Sequence, residues 1–372
     1  MWQELFSTDY VAAAQRFESA SEKLSKVGFE VTFKRLSIDE KGPSDETLAI
    51  DIAWVGPKDA SKLILHTSGI HGVEGYAGSA IQLYLMEQLQ QTPEMLNEDC
   101  AICFVHTINP WGMAWLRRVN ENNADLNRNF LPPGEEYAGE PKGYADVDSL
   151  LNPKSPPSRG EFILFKSIWH SLRYGWSATK QAIAEGQYTR PKAMQYGGEK
   201  LLQGPSLLLE WMKMNLIGVK RIVALDMHTG LGKFGKDTLL VDYKSNSKKH
   251  TIMLEHFGKR IQTNDPIKGI SYVIRGGLHT GFESRWPKID WTCITQEFGT
   301  YSILKVLKSL RTENRWTQWG NAQGLEEMGH WSRIELLNTF SPKSNKWREM
   351  ILRRSRILFE EGLEFVNKED VG

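Results

Sequence analysis

Five short apolar runs, each leading directly into a polar loop, constrain the fold of this chain more than any other feature. The runs are continuous rather than alternating, which is typical of strands that are covered on both faces of a sheet. Helical patterns such as Gly78–Leu89 lie between them. The sequence therefore predicts an α/β fold with a mixed, mostly buried sheet between helices, whose core strands lie at 63–65, 101–105, 222–225, 239–241 and 293–295.

The two ends of the chain show other patterns. Residues 10–25 are rich in helix formers, while residues 29–38 and 48–55 alternate apolar with polar side chains. We therefore expect an N-terminal helix followed by an antiparallel pair of edge strands. Residues 347–366 predict an amphipathic helix that closes the fold, with its arginines facing solvent.

Residues 131–215 interrupt this regular alternation of strands and helices. They are too many for a simple connection, so we expect either an inserted subdomain or an elaborated loop over the site. Within them, the pattern predicts one helix at residues 162–185.

Charge and cysteine content exclude several classes of protein. The chain has 46 basic and 45 acidic residues, and a net charge of +1 attracts neither nucleic acid nor an anionic membrane. No apolar window reaches membrane-spanning length and the first residues do not resemble a signal peptide, so a cytoplasmic protein is expected. Cys100 and Cys103 lie in a predicted buried strand and are expected to be inert. With Cys293 they give an odd number, which argues against a disulfide framework.

Potential metal ligands follow two of the predicted strands. His71 and Glu74 lie in the glycine-rich loop after the first apolar run, and His228 follows the third run. Two histidines and one carboxylate are a common catalytic zinc set, which leaves one coordination position for water. Because parallel strands bring their carboxyl ends to one edge of a sheet, these three side chains are expected to converge there.

The loop after the second apolar run is rich in arginine and asparagine. Arg117, Arg118 and Arg128 could bind an anion there, with Asn127 fixing its geometry. The alternative is a solvent-exposed loop with asparagine turns. Glu297 follows the fifth run directly. A carboxylate at the end of a central strand is costly unless it is solvated, paired or functional, so Glu297 is a candidate general base.

Four motifs in one order relate these residues to a known family. They are HGVEG, NPWG…RRVNENNADLNRNF, DMHTG and TQEFGT, all within roughly residues 60–300. On these motifs the chain resembles the M14 zinc carboxypeptidase superfamily, and within it the bacterial DUF2817-like branch. The resemblance implies one catalytic domain over residues 1–372, with a three-layer α/β/α fold around a mixed eight-stranded sheet.

The resemblance also implies a metal centre. One Zn²⁺ per chain would be bound by His71, Glu74 and His228. Asp125 would orient a histidine ligand, the usual role of a carboxylate behind a metal-bound imidazole.

Catalytic and substrate-binding roles follow from the same resemblance. Glu297 would act as the general base in the hydrolysis of an amide, and Arg118 would polarise the scissile carbonyl. Asn127 and Arg128 would hold a free carboxylate of the substrate, and we expect Arg117 to assist them.

Three features fit the resemblance less closely. About 100 residues separate Arg128 from His228, so residues 131–215 are expected to narrow or cap the cleft. Tyr272 is a candidate lid residue, with an ordinary strand aromatic as the alternative. His279 is expected to be a surface or hydrogen-bonded histidine rather than a fourth metal ligand.

Three functions are consistent with the sequence. The favoured one is a zinc hydrolase that releases a C-terminal residue from a small peptide. The second is an N-acyl amino-acid deacylase similar to succinylglutamate desuccinylase and aspartoacylase, because those enzymes have a similar zinc set and carboxylate clamp. The third is a zinc-containing binding protein without turnover, which is disfavoured because metal ligands, arginine and glutamate are all present.

Overall fold

The computed structural model of the chain describes residues 2–160, 185–245, 247–263, 274–320 and 328–368. The helix predicted at 162–185, apart from its last residue, lies outside the described residues, and so does Tyr272. The described residues form eight strands and ten α-helices.

All eight strands belong to one mixed sheet. The strands are β1 (Val31–Lys41), β2 (Thr47–Val55), β3 (Lys62–Ser68), β4 (Cys100–His106), β5 (Arg221–Phe234), β6 (Asp237–Val241), β7 (Ile261–Thr263) and β8 (Asp290–Gly299). Their order across the sheet is β1-β2-β4-β3-β5-β8-β6-β7. The neighbours from β4 to β8 are parallel, while β1 with β2, β2 with β4, and β6 with β8 are antiparallel. The predicted mixed eight-stranded sheet and the antiparallel pair at one edge are confirmed.

Helices cover both faces of the sheet. They are α1 (Tyr10–Lys26), α2 (Gly75–Gln91), α3 (Pro110–Ala114), α4 (Tyr144–Leu151), α5 (Gln203–Asn215), α6 (Lys248–Phe257), α7 (Leu278–Arg285), α8 (Ile303–Trp319), α9 (Trp331–Phe340) and α10 (Asn345–Asn367). Apolar side chains of α1, α2, α6 and α10 pack with one face of the sheet, and those of α5 and α7 pack with the other. The predicted three-layer arrangement follows from these two cores.

The central strands contain continuous apolar runs because both of their faces are covered. All seven residues of β4 are buried, and they include Cys100 and Cys103. Burial raises the pKa of the Cys100 thiol to about 12, so it stays protonated and unreactive at neutral pH. The predicted burial of both thiols is confirmed.

The C-terminal helix α10 packs more closely than its sequence pattern predicts. Trp347 is fully buried, and its indole N–H donates to the carbonyl of Gly299 at 2.9 Å, where β8 ends. The arginines of α10 were predicted to face solvent. Arg354 differs, because it pairs with the buried carboxylate of Asp237. A buried carboxylate needs such a partner, which explains why one arginine of α10 turns inward. No helix in the described parts of the chain is long and apolar enough to cross a membrane.

Residues 131–215 divide into two parts. Helix α5 at their end packs on the sheet, with Leu208 and Trp211 in the core. The remainder, residues 131–202, is called the insert segment below. Its described residues form α4 and loops that lie beside α8.

Candidate metal centre

The first two potential ligands lie in a tight turn after β3. Residues 72–74 form one turn of 3₁₀-helix that leads into α2, so Glu74 lies at the start of that helix. A side chain at Gly72 would not fit, because a Cβ there would lie 2.0 Å from the carbonyl carbon of Gly112. The amide of Gly72 donates to the carbonyl of Arg118 at 3.0 Å. The glycine therefore allows the turn to bind the arginine-rich loop directly.

Three buried side chains converge at the carboxyl edge of the sheet, as predicted. His71, Glu74 and His228 offer ligand atoms that all lie within 4.8 Å of one another. The Nδ1 atom of His71 is 2.9 Å from Glu74 Oε1, and the Nδ1 atom of His228 is 3.3 Å from Glu74 Oε2. Each imidazole thus points the same ring nitrogen toward the carboxylate.

Two aspartates hold the opposite nitrogens of these histidines. His71 Nε2 is 3.0 Å from Asp125 Oδ1, and His228 Nε2 is 2.6 Å from Asp226 Oδ2. Asp226 is fixed in turn by the hydroxyl of Thr67, which donates to its other oxygen at 2.6 Å. Carboxylates in this position orient metal-binding imidazoles and raise their basicity. Asp125 was predicted in this role. Asp226 was not, although the spacing Asp-x-His on one strand places both side chains on one face.

The donor set fits a bound metal ion. His71 Nδ1 is buried, and although Glu74 Oε1 lies 2.9 Å away, it makes no well-aligned hydrogen bond with the described residues. A buried polar atom of this kind is satisfied when a ligand completes it. Two imidazole nitrogens and a carboxylate, with both rings held from behind, match the ligands that zinc uses in hydrolases. His71, Glu74 and His228 therefore fit the Zn²⁺ that the sequence predicts.

Glu297 lies on β8 directly beside His228. The two residues are register partners in the parallel β5–β8 pair, so their side chains lie on the same face. One carboxylate oxygen of Glu297 accepts the backbone N–H of Leu231 at 2.8 Å. Burial, together with the negative charge of Glu74, raises the pKa of Glu297 to about 7. A carboxylate with such a pKa exchanges protons readily at neutral pH.

The two neighbouring arginines have different surroundings. Arg118 donates from NH1 to Glu74 Oε1 at 2.9 Å, and its Nε lies 3.4 Å from Asp125 Oδ2. Its guanidinium is therefore next to the metal ligands. Arg117 is buried away from them and donates from Nε to Glu313 Oε1 at 2.8 Å. The structure brings Arg118 to the centre and places Arg117 in an ion pair with α8.

The predicted carboxylate clamp lies on the other side of Asp125. The backbone N–H of Asn127 donates to Asp125 Oδ1 at 2.9 Å, and the side-chain oxygen of Asn127 accepts the N–H of Leu278 at 3.0 Å. Arg128 is buried, and its NH1 donates to the carbonyl of Asn127 at 2.7 Å. The hydroxyl of Tyr188 donates to the carbonyl of Arg128 at 2.8 Å. The insert segment thus contacts the loop that carries the clamp.

His279 differs from its predicted environment. A surface or hydrogen-bonded histidine was predicted, but the residue is only 9% exposed and its buried Nε2 has no hydrogen-bond partner in the parts of the chain that the structure describes. It follows Leu278, whose N–H donates to the side-chain oxygen of Asn127. A positive charge on its ring would lower the pKa of Asp226. The fold brings α7 against the metal centre, which a sequence pattern around residue 279 does not reveal.

These observations define an α/β/α protein with a buried His-Glu-His group that could hold a metal ion. Residues 6–354 match the model of a family described as "Protein of unknown function (DUF2817)", and the chain belongs to this family. The predicted DUF2817 assignment is therefore confirmed. No curated protein matches the sequence.

Similar solved structures include proteins from several organisms. Carboxypeptidase A from Helicoverpa armigera is 12% identical, with a TM-score of 0.47 over 88% of this chain and 73% of that chain. Bovine thrombin-activatable fibrinolysis inhibitor, in complex with tick carboxypeptidase inhibitor, is 13% identical, with a TM-score of 0.46 over 95% and 100%. The ectoine utilization protein EutE from Ruegeria pomeroyi is 14% identical, with a TM-score of 0.36 over 78% and 67%. These identities are too low to transfer a function.

Proposed function

We propose that this protein is a zinc-dependent hydrolase of one catalytic domain that cleaves an amide bond next to a free carboxylate. The observation that carries the proposal is the placement of Glu297 as the register partner of His228, beside a buried His-Glu-His group. A metal site without chemistry has no need of a carboxylate with a raised pKa at this position. The motif resemblance to zinc carboxypeptidases supports the same reaction class.

Each residue of the centre has a task in this reaction. When bound, Zn²⁺ would polarise water and the scissile carbonyl. Glu297 takes a proton from the attacking water and delivers it to the leaving nitrogen. The hydrogen bond from Leu231 fixes one Glu297 oxygen and so aims the other oxygen. Asp125 and Asp226 keep both histidines in the orientation that ligation requires.

Arginines and an asparagine position the substrate. Arg118 stabilises the negative charge that develops on the carbonyl oxygen, which requires that its bond to Glu74 loosen when a ligand is bound. Asn127 and Arg128 hold the carboxylate of the departing residue. Arg117, paired with Glu313, supports the loop rather than the substrate. A guanidinium already neutralised in a buried ion pair gains little from a second carboxylate.

The proposal is tested by assaying the zinc-loaded protein on two sets of compounds. One set contains short peptides with free or amidated C-termini, and the other contains N-acyl amino acids and their methyl esters. Hydrolysis that requires the free carboxylate on the departing residue supports the proposal. Activity on peptides or on N-acyl amino acids alone separates the peptidase from the deacylase.

Two results would contradict the proposal. Turnover that is equal for amidated and free substrates would exclude the carboxylate clamp. Tight binding of both sets in calorimetry with no hydrolysis would instead indicate a zinc-containing binding protein.

A further inference from the structure

A small cavity opens beside Arg118, between the insert segment and α8. The volume that the centre of a water molecule can occupy in it is about 20 Å³, which is enough for one water or a group of similar size. Its walls include Arg118 and Asp125 from the metal centre, Gln195 from the insert segment, and Leu310 and Glu313 from α8. The cavity therefore borders the proposed catalytic residues. Part of its wall is the insert segment, for which the sequence predicted no definite structure.

Gln195 presents an unused acceptor in this region. Its side-chain oxygen is buried and has no hydrogen-bond partner among the described residues. A buried acceptor without a partner loses its solvation without compensation unless a ligand supplies a donor. The two acidic residues of the wall are already paired: Asp125 Oδ1 lies 3.0 Å from His71 Nε2, and Glu313 accepts from Arg117 at 2.8 Å and from Thr317 at 2.7 Å. The free acceptor is thus a neutral amide, which suits a neutral N–H donor.

The backbone holds Gln195 firmly in place. Its φ is 61°, a conformation that is uncommon outside glycine. Its carbonyl accepts the N–H of Gln187 at 2.9 Å, and the next residue, Tyr196, accepts the N–H of Asp125 at 2.7 Å. Strained residues that neighbouring bonds hold in this way cluster at ligand sites. The bond to Asp125 also fixes the distance between this wall and the metal centre.

We propose that this cavity receives the side chain of the residue on the acyl side of the scissile bond, with Gln195 in the cavity wall accepting that residue's backbone N–H. This rests on the proposed function, in which Arg118 contacts the scissile carbonyl while Asn127 and Arg128 hold the departing residue. Because neither clamp residue lines the cavity, the cavity receives the group attached to the carbonyl carbon. Its size admits the side chain of glycine or alanine and excludes larger ones. The substrate class is therefore a peptide, or an N-acylated dipeptide, with a small penultimate residue.

The first test varies the size of the acyl-side residue. Acetylated dipeptides with Gly, Ala, Val or Leu before a constant departing residue are compared by kcat/KM on the zinc-loaded protein. We expect Gly and Ala to exceed Val and Leu by at least about tenfold, the effect of excluding a group from a rigid wall. Leu310→Ala removes part of the cavity wall and should bring kcat/KM for the Val and Leu substrates closer to that for Gly and Ala. Leu307→Ala removes the same number of atoms from α8 outside the cavity lining and should leave the ratio unchanged.

The second test removes the donor from the substrate. Replacing the acyl-side N–H by an ester oxygen should lower kcat/KM about tenfold for the unmodified protein. The same replacement should have little effect in Gln195→Met, which lacks the acceptor, and a full effect in Gln195→Glu, which keeps one. Equal losses in all three proteins would overturn the role of Gln195, and equal turnover of Ala and Leu substrates would overturn the size limit.

A binding measurement separates this inference from the proposed function. Calorimetry compares the affinity of N-acetylalaninamide with that of its ester-oxygen analogue, 2-acetoxypropanamide, for the same three proteins. Neither compound has a carboxylate for the clamp, so a preference for N-acetylalaninamide that Gln195→Met abolishes supports the subsite even if no substrate is hydrolysed. The absence of hydrolysis in every assay would count against the proposed function alone, and the absence of that preference would count against the subsite.

Discussion

Among single residues, Glu297 is the one whose replacement separates metal binding from chemistry. Glu297→Gln keeps the shape and the oxygen that accepts from Leu231, but it cannot carry a proton. We expect kcat to fall by about 100-fold or more, while zinc content stays near one per chain. Metal content measured by mass spectrometry beside turnover checks both. Glu364→Gln, on an exposed part of α10, is the control. A variant that kept most of its activity would exclude Glu297 as the base.

Replacing Asp226 tests whether the carboxylate that orients the candidate ligand His228 contributes to zinc affinity. Asp226→Asn keeps the volume but loses the charge that accepts from His228 at 2.6 Å. We expect zinc affinity to fall by about 10- to 100-fold. Competition with a chromophoric chelator measures it, and Asp290→Asn, at an exposed surface ion pair with Arg221, is the control. If both variants bound zinc equally, Asp226 would have no part in orienting His228.

The sequence predicts the residues of the centre better than their surroundings. His71, Glu74 and His228 could be found because each follows an apolar run, and such runs end at one edge of a parallel sheet. The surroundings of Arg117 and His279 could not be found in this way. They depend on α7 and α8, which reach the centre only through the tertiary fold.

At the scale of elements, α8 binds the insert segment through buried polar side chains. Arg311 is 1% exposed and donates from Nε to the carbonyl of Leu150 at 2.6 Å. Arg311→Met would leave that carbonyl without its donor, and we expect the free energy of unfolding to fall by about 2 kcal/mol. Urea denaturation measures the change. Arg353→Met, on the exposed face of α10, should change it by less than about 0.5 kcal/mol.

Helix α10 fixes the end of the strand that carries Glu297. Trp347→Phe would retain most of the packing but would remove the indole donor to Gly299. We expect a loss of about 1 kcal/mol in the free energy of unfolding, because the buried carbonyl would lose one of its two donors and keep only the N–H of Gly235 at 2.9 Å. Urea denaturation again measures it. A loss below about 0.5 kcal/mol would mean that water replaces the indole.

The elements themselves were predictable where their pattern was strong. The five apolar runs all lie in strands, because strands that are covered on both faces favour consecutive apolar residues. The three residues of β7 give too short a pattern to detect. The inward turn of Arg354 was also unpredictable, since it depends on Asp237 from a strand more than 100 residues earlier.

For the whole molecule, metal binding should stabilise the fold. The two histidines and Glu74 are brought together only in the native state, so an ion bound there favours folding. At 100 times the Kd, zinc should add about 2.7 kcal/mol and raise the Tm by several degrees. Thermal denaturation with zinc and with a chelator checks this. His228→Ala should lose the shift, and His256→Ala, on α6, should keep it.

The bonds that attach the insert segment have an evolutionary consequence. Arg311, Arg315 and Asn314 of α8 all donate to backbone carbonyls of that segment, at Leu150, Ser155, Pro156 and Lys192. Every residue type has such a carbonyl, so these hydrogen bonds do not depend on which side chains the segment carries, whereas the apolar packing of Tyr144 and Val147 with Leu307 and Leu310 does. The residues around Gln195 can therefore change, and with them the substrate preference proposed above, while the hydrogen bonds that attach the segment remain. The segment is the natural place to redesign that preference.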